Sequence, residues 1–513
     1  MSSLIPIVVL IGALLYLVRW YTTRDRLPLP PGPPALPIIG NLHQAPSKHA
    51  WLQFHEWTKQ YGPIFKVQFG RDTIIVLGDY WTAHELLNRR SANFSSRPWK
   101  PFAADCLYKG LHILLRPYDA QYKLHQKMEA PLLNAGVSRL YTPIQDLESC
   151  QLVQELFENT DFAFLLHRFA ASVAYALVFG FRIRTGHEQE MGKAEIVLER
   201  LVKAFKPGMW IVDTFPFLNR LPVWLAPWKR LAEGWYQFEA TLHKSNVRKA
   251  LESPHWNFSK HLFGCKEAQG MDELEVAFNG GILSDAAIHT TGHTLEMFVM
   301  VTVNHPEQAR LVQNELDHTV GRDRLPDSGD SEKLPYTMAF INEVLRWRPI
   351  APGGVPHSNL EEDTYMGYRI PKGSVVFGSA WSIHMDEKTY GDPEVFRPER
   401  WLENPGLPSV AFGFGRRACA GQHIARQSLF LVISRLLWAF DIKKALDKFG
   451  NEVDVDDMAL TDYFTVGPEP FKARFLPRDE RVQMVMREKW EKLEKDVGVI
   501  LDSANARGDF ARK

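Results

Sequence analysis

The stretch FGFGRRACAG, residues 412–421, has two readings, and the choice between them decides the fold. Gly413, Gly415 and Ala418 spell G-x-G-x-x-A, the glycine loop of a dinucleotide fold. Alternatively, Cys419 is a metal ligand set in a glycine-lined turn. The first reading has PSVAF (408–412) as a candidate strand before the loop, a helical run after it, and Asp441 placed to meet a ribose. It fails on context, because a doubly wound sheet needs strands alternating with helices and these flanks are helical or irregular.

The ligand reading uses residues that the other leaves idle. A thiolate bound to iron needs hydrogen-bond donors and positive potential. Cys419 directly precedes the helical run GQHIARQSLFLVISRLLWAF, whose first amides supply both. Glycines let the backbone approach a cofactor closely. Phe412 is placed to cover the sulfur from water, and Arg417 to pair with an anionic substituent of the cofactor.

The 513 residues, 45% apolar and 12% aromatic, are ample for a deep core. Lys plus Arg equals Asp plus Glu at 60 each, so no global field attracts nucleic acid, which is excluded as a main partner. Cys106, Cys150, Cys265 and Cys419 form no C-x-x-C pair, which argues against a disulfide framework or a zinc ribbon.

The beginning, MSSLIPIVVLIGALLYLVRWYTTRDR, has an uncharged run from Leu4 to Val18, then Trp20 and Tyr21 at interfacial positions and Arg24 and Arg26 beyond. Residues 1–21 are expected to be a membrane anchor; the alternatives are a cleaved signal peptide or a buried helix. A signal peptide would carry its charges before the apolar run, and here Arg19, Arg24 and Arg26 follow it. The same asymmetry keeps the remainder cytosolic. Residues 22–41, basic and then proline-dense (LPLPPGPPALPIIGN), cannot form a helix and are expected to be a stiff hinge.

No second linker or fixed-period repeat follows, so residues 42–478 are expected to be one domain. FNGGILSDAAIHTTGHTLEMFVMVTVN and LPYTMAFINEVLRWRP have helical spacing, whereas the strand-like IFKVQF, TIIVL and GSVVFGSA are short and few. The expected class is mainly α with small sheets. Residues 479–513 read as a charged amphipathic extension, a surface helix with Val482, Met486, Trp490, Leu493 and Val497 on one face.

F-x-x-G-x-R-x-C-x-G, realised as Phe412, Gly415, Arg417, Cys419 and Gly421, resembles the haem-binding loop of cytochrome P-450 monooxygenases. NEVLRWRPIAP holds Glu343 and Arg346 three apart on a helix face, similar to the family's E-x-x-R; alone, that spacing is more often a solvated surface pair. FRPERW holds Arg400, which by resemblance completes a Glu343, Arg346, Arg400 ion-pair network. With the anchor and hinge, the likeness runs from Leu4 to Arg478. LRWRPIAPGGVPHSNLEEDTYMGYRIPKGS resembles the microsomal kind from filamentous fungi, whose members tailor secondary metabolites.

The resemblance implies the cytochrome P-450 fold, a large helical domain with small β-sheets behind an N-terminal transmembrane anchor in the endoplasmic reticulum. It implies heme b (iron protoporphyrin IX) with Cys419 as axial ligand. A cysteinate ligand favours cleavage of the O–O bond. The implied reaction inserts one oxygen atom from O2 into a lipophilic small molecule, by hydroxylation, epoxidation or desaturation. Too few residues follow Cys419 to hold a flavin reductase, so NADPH serves indirectly, through a separate NADPH–cytochrome reductase. Arg416, Lys443 and Lys444 are candidate docking charges or simply a solvated face.

Against the family's A-G-x-[D/E]-T-T this chain offers Ala286, Ala287, Ile288, His289, Thr290 and Thr291. The threonine is kept and the acid has become histidine. Thr290 can hydrogen-bond bound dioxygen, and His289 either relays protons or is a satisfied core histidine. That departure motivates the alternative of an isomerase, dehydratase or oxidative-coupling enzyme. Where the family has W-x-x-x-R on a haem propionate, the chain has Tyr122 and Gln126, with Lys123 or His125 as substitute charges. Arg417 and His357 are the stronger propionate candidates. The pocket is expected to draw on residues 99–113, Ala287, Thr291 and 351–355. The aromatic, proline-broken segment 209–228 is either a lid that dips into the membrane surface or core.

Overall fold

The structure, a computed structural model, describes residues 27–206, 208–462 and 465–508. The expected anchor lies outside the described residues. From residue 27 on, the proline-dense run is strapped to the domain and does not stand off from it. Lys66 N–H donates to Pro31 O and Arg369 N–H to Pro28 O, both at 2.8 Å. Asn41 Nδ2 donates to the carbonyls of Pro33 and Pro34 at 3.2 and 3.0 Å. Proline has no N–H but a full carbonyl acceptor, so the proline positions of the strap receive hydrogen bonds and donate none.

Helix α1 (Ala50–Tyr61) leads into the hairpin of β1 (Ile64–Phe69) and β2 (Asp72–Leu77). The long helices follow: α2 (Ala120–Leu133), α3 (Thr142–Glu155), α4 (Phe162–Phe179), α5 (Gln189–Phe205), α6 (Pro227–Glu252), α7 (Glu273–Asn304), α8 (Pro306–Thr319) and α9 (Pro335–Trp347). Strands β3 (His357–Ser358), β4 (Asp363–Tyr365), β5 (Tyr368–Ile370) and β6 (Val375–Gly378) come next. The end holds α10 (Gln422–Ala439), β7 (Phe440–Lys444), β8 (Ala473–Pro477), α11 (Glu480–Lys492) and α12 (Val497–Gly508). The main sheet has the order β1-β2-β6-β3, with β2 and β6 parallel and the outer pairs antiparallel. All three runs expected as strands are strands, and β2, between two neighbours, buries its last four residues.

Helix α4 is apolar enough, with a mean hydropathy of 1.7 over 18 residues, to cross a membrane, yet 83% of it is buried inside the protein. It packs along α7 as the centre of the core. Asp161 caps its start by accepting from Phe164 N–H at 3.1 Å, and Gly180 (φ 79°) ends it.

The C-terminal segment differs from expectation. It is two helices, because the backbone turns extended at Leu493 (ψ 138°), so Val497 belongs to α12 and not to the face of Val482 and Met486. Val482, Met486 and Leu501 are fully or almost fully buried in the same core as α4 and α7. Lys489 pairs with Asp146 at 2.9 Å, and Asp502 accepts from Trp256 N–H at 2.8 Å.

Candidate active site

The expected ion-pair network is present and buried. Glu343 and Arg346 are inaccessible to solvent and Arg400 nearly so. Glu343 Oε1 accepts from Arg346 Nη2 (2.7 Å), Arg400 Nε (3.1 Å) and Arg397 N–H (3.0 Å). Its Oε2 accepts from Arg346 Nε and Trp401 Nε1, both at 2.9 Å. Burial alone would raise the carboxyl pKa, but the Arg346 hydrogen bond and charge, with Arg400 and Arg397 N–H, bring it below its ordinary value. The spare guanidinium donors go to backbone: Arg346 Nη1 to His384 O at 2.9 Å, Arg400 Nη2 to Val395 O at 2.9 Å. Two loops are thereby tied to α9, so this is not the solvated surface pair that the spacing alone suggests.

The loop at 412–421 is not a dinucleotide turn. Residues 408–412 form no strand, a short 3-10 turn covers Gly415–Arg417, and Asp441 accepts from Gln313 Nε2 at 3.1 Å within β7. Gly415 has φ 51°, and a Cβ there would press into the Leu87 carbonyl, so only glycine fits. A Cβ on Gly421 would meet no protein atom within 4 Å; that side of the loop is open. Phe412 lies under the Arg426 guanidinium, 4.6 Å from its ring centre.

The Cys419 side chain is exposed, yet burial pushes its thiol pKa up, with a Gly421 N–H hydrogen bond opposing. An exposed thiol that burial nonetheless affects is consistent with a slot walled by protein and open at one side. Helix α7 shows the same signature. Ile288 and Leu295 are fully buried, whereas Ala286 is exposed and Leu283, Ala287, Thr290 and Thr291 are half-buried. Those positions form one helical face that the protein leaves uncovered, while the neighbouring Asp285 turns away from it to His243, 3.6 Å off. Thr290 Oγ1 donates to Ala286 O at 2.7 Å.

Next to the loop lies a cationic cluster. Arg417 donates to the backbone carbonyls of Ser95 (2.7 Å), Ile113 (3.2 Å) and Arg116 (2.6 Å) and stacks on the Tyr122 ring at 3.6 Å. Arg97, 8% exposed, donates to Leu114 O at 3.0 Å and Pro356 O at 2.6 Å. Burial and the Arg417 charge bring its pKa down to about 9, still cationic at neutral pH. Burial, with Arg97 and Arg417, pushes His357 down to about 3 while its Nδ1 stands 2.7 Å from Phe94 O. Among the described residues neither guanidinium forms an ion pair, which is costly for a buried cation such as Arg97 and less so for the half-buried Arg417. A bound dianion would offset that cost. The accessible thiol, the open face of α7 and this uncompensated charge fit an iron porphyrin with two carboxylates.

Arg97 was missed, because a lone arginine in SSRPW follows no spacing. Tyr122 was expected to donate to a propionate. Its hydroxyl proton instead goes to Arg416 O at 3.0 Å, joined there by Gln126 Nε2 at 3.0 Å, so both brace the cysteine loop. Neither substitute charge reaches the cluster: His125 Nε2 lies 2.9 Å from Glu275 Oε1, and Lys123 stacks on Tyr118. His289 is directed at α4, its ring 5.5 Å from that of His167, with Nε2 buried and unpartnered; burial, then His167 and His293, push its pKa down to about 3. Segment 209–228 is mostly surface, with Phe217 64% and Trp224 72% exposed.

The sequence model of the Cytochrome P450 family matches residues 30–472. Cytochrome P450 monooxygenase aneD of Aspergillus aculeatus is 42% identical over 468 residues, covering 90% of this chain and 91% of the relative. Cytochrome P450 monooxygenase FrzL of a Cladobotryum species is 38% identical, covering 99% and 98%. A zebra fish cytochrome P450, solved with abiraterone, superposes with a TM-score of 0.70 at 26% identity, covering 84% of this chain and all of that one. The chain belongs to the cytochrome P450 family. It is an oxidoreductase, a monooxygenase of the haem-thiolate kind, and the two curated relatives named above are fungal.

Proposed function

We propose that the protein is a membrane-bound monooxygenase that oxidises a lipophilic small molecule in fungal secondary metabolism, with Cys419 as axial ligand of its haem. When bound, the haem supplies the activation of O2 and the oxidation itself. The observation that carries this reading is the accessible thiol beside two unpaired cations, the buried Arg97 and the half-buried Arg417.

The chain's own residues position and protect. Gly421 N–H tempers the charge on the Cys419 sulfur, and the ring of Phe412 shields it from water. Arg417, Arg97 and His357 would hold the two carboxylates of a bound haem, and the Glu343 network fixes the loops around the cysteine. Thr290 and Thr291 are the residues of the open α7 face with exchangeable protons; Thr290 Oγ1 lends its proton to Ala286 O and can turn it toward the slot while accepting another from water. We assign the proton delivery to Thr290, with His289 standing behind it on the α4 side.

The exposed aromatic segment 209–228 supports entry of substrate from a bilayer surface. Electrons come from NADPH through a cytochrome reductase that docks near Arg416 and Lys443, and the anchor holds the domain on the cytosolic side of the endoplasmic reticulum. The test is the carbon monoxide difference spectrum of recombinant membranes, reduced once with dithionite and once with NADPH plus reductase. A red-shifted thiolate-type band with both reductants, lost in Cys419→Ala, is the expected result; no such band in folded, haem-loaded protein overturns the reading.

A further inference from the structure

Behind the open face of α7, where it packs on α4, lies a second cluster of ligating side chains. HTTGHTLE, residues 289–296, places His289, His293 and Glu296 at i, i+4 and i+7, one stripe along a helix, and α4 presents His167 to it. The ligand atoms of His167, His293 and Glu296 all lie within 4.8 Å of one another. His167 Nε2 is 3.3 Å from Glu296 Oε1, and the His167 ring stands 5.3 Å from that of His293 and 5.5 Å from that of His289.

Two glycines shape the cluster. A Cβ on Gly292 would lie 2.7 Å from two atoms of the His167 ring, so that ring rests directly on the α7 backbone between the two helical histidines. A Cβ on Gly467 would lie 2.8 Å from His293 Cδ2 and 3.1 Å from Glu296 Oε2, so the 465–468 turn closes over the other side. Within this enclosure His289 Nε2 and His293 Nδ1 are buried with no hydrogen-bond partner, His289 being 8% exposed. An imidazole nitrogen left unpaired in a protein interior is costly unless something else meets its lone pair.

We propose that His167, His293 and Glu296, with His289 in the fourth position, bind one divalent transition-metal ion, zinc by preference. Three imidazoles and one carboxylate are a borderline-soft donor set that suits zinc or copper(II) and not calcium or magnesium. Tetrahedral zinc with bonds of about 2.0–2.2 Å holds its ligand atoms about 3.3 Å apart. The ligand atoms of His167, His293 and Glu296 therefore reach that spacing by side-chain rotation, and His289, its ring 6.1 Å from that of His293, has to turn further to join them. His167, His293 and Glu296 are half-buried, so an ion can enter. Occupancy would pin α4 to α7 one residue from Thr290.

The experiment uses chelator-washed, haem-loaded full-length enzyme dialysed against zinc chloride, with zinc and iron counted by elemental analysis. One zinc per haem iron is expected. Affinity should fall by more than the roughly 10–100-fold typical of outer-shell partners in His167→Ala and in His293→Ala, each still showing its carbon monoxide band. Glu296→Gln should weaken it less. Zinc at well under one per haem, or full zinc retention in the double histidine variant, overturns the proposal. If those variants do not fold, the unmodified enzyme with copper(II) decides. Electron paramagnetic resonance should show hyperfine splitting from several imidazole nitrogens, and a spectrum without it overturns the site.

Discussion

Glu343 and Arg346 face each other in a two-point ion pair, Oε1 to Nη2 at 2.7 Å and Oε2 to Nε at 2.9 Å, with no solvent access to either side chain. Removing one partner of such a pair strands the other. Glu343→Ala should destabilise the fold by about 3–5 kcal/mol, with loss of haem from the expressed protein, read by urea unfolding and by the haem-to-protein ratio. The folded pKa of Glu343 is depressed, so its contribution is present above the ordinary carboxyl value of 4.5 and is lost as pH falls below it.

Gly415→Ala tests the turn beside the cysteine. The positive φ and the Leu87 carbonyl both oppose a Cβ, so a cost of more than about 1 kcal/mol is expected, with most of the protein expressed without haem. A variant with full haem content and an unchanged melting temperature would refute the steric argument.

Arg97→Leu removes the buried member of the two unpaired cations. A charged hydrogen bond contributes about 1.5–3 kcal/mol, so haem transfer to apomyoglobin should speed up by about 10–100-fold while the thiolate-type band is kept. An unaltered transfer rate would remove Arg97 from the propionate cluster.

Thr290→Ala should bind substrate and consume NADPH but lose product on the order of 10²-fold relative to the NADPH consumed. The readout is product per NADPH together with hydrogen peroxide released. Fully coupled turnover would shift weight to the isomerase or dehydratase reading.

Glu129, on α2, is buried with Oε1 unpartnered, and burial pushes its pKa up to about 8. A raised carboxyl favours the folded state while protonated, so stability is full below about pH 4.5 and declines as pH rises toward 8. Glu129→Gln should raise stability at pH 8 by on the order of 1–3 kcal/mol and leave it little changed at pH 4.5, as measured by thermal unfolding at both.

The parts of this molecule that were legible beforehand are those set by local spacing. Cys419, Gly415 and Arg417 lie within a few residues of one another, and Glu343 and Arg346 share one helical turn, so their geometry follows from the chain itself. Helix α7 and the three strands of the main sheet were likewise carried by periodicity. Arg97 and the Tyr122 contact were not, because each depends on a loop meeting a residue about 300 positions away. The C-terminal face failed for another reason: Val482 to Val497 keep a helical rhythm through Leu493, where the backbone breaks without a proline or glycine to announce it. The role of His289 could not be settled from its neighbours in sequence, since the deciding residue, His167, is on another helix.

Helix α12 is synthesised after every other element of the core, yet Leu501 and Ile500 sit in the same cluster as Phe298 of α7 and Trp438 of α10. The nascent chain therefore cannot close its interior while those residues are still within the ribosome, and much apolar surface stays open during translation. A truncation within α12 therefore uncovers the centre of the core, and is more damaging than its distance from the cysteine suggests.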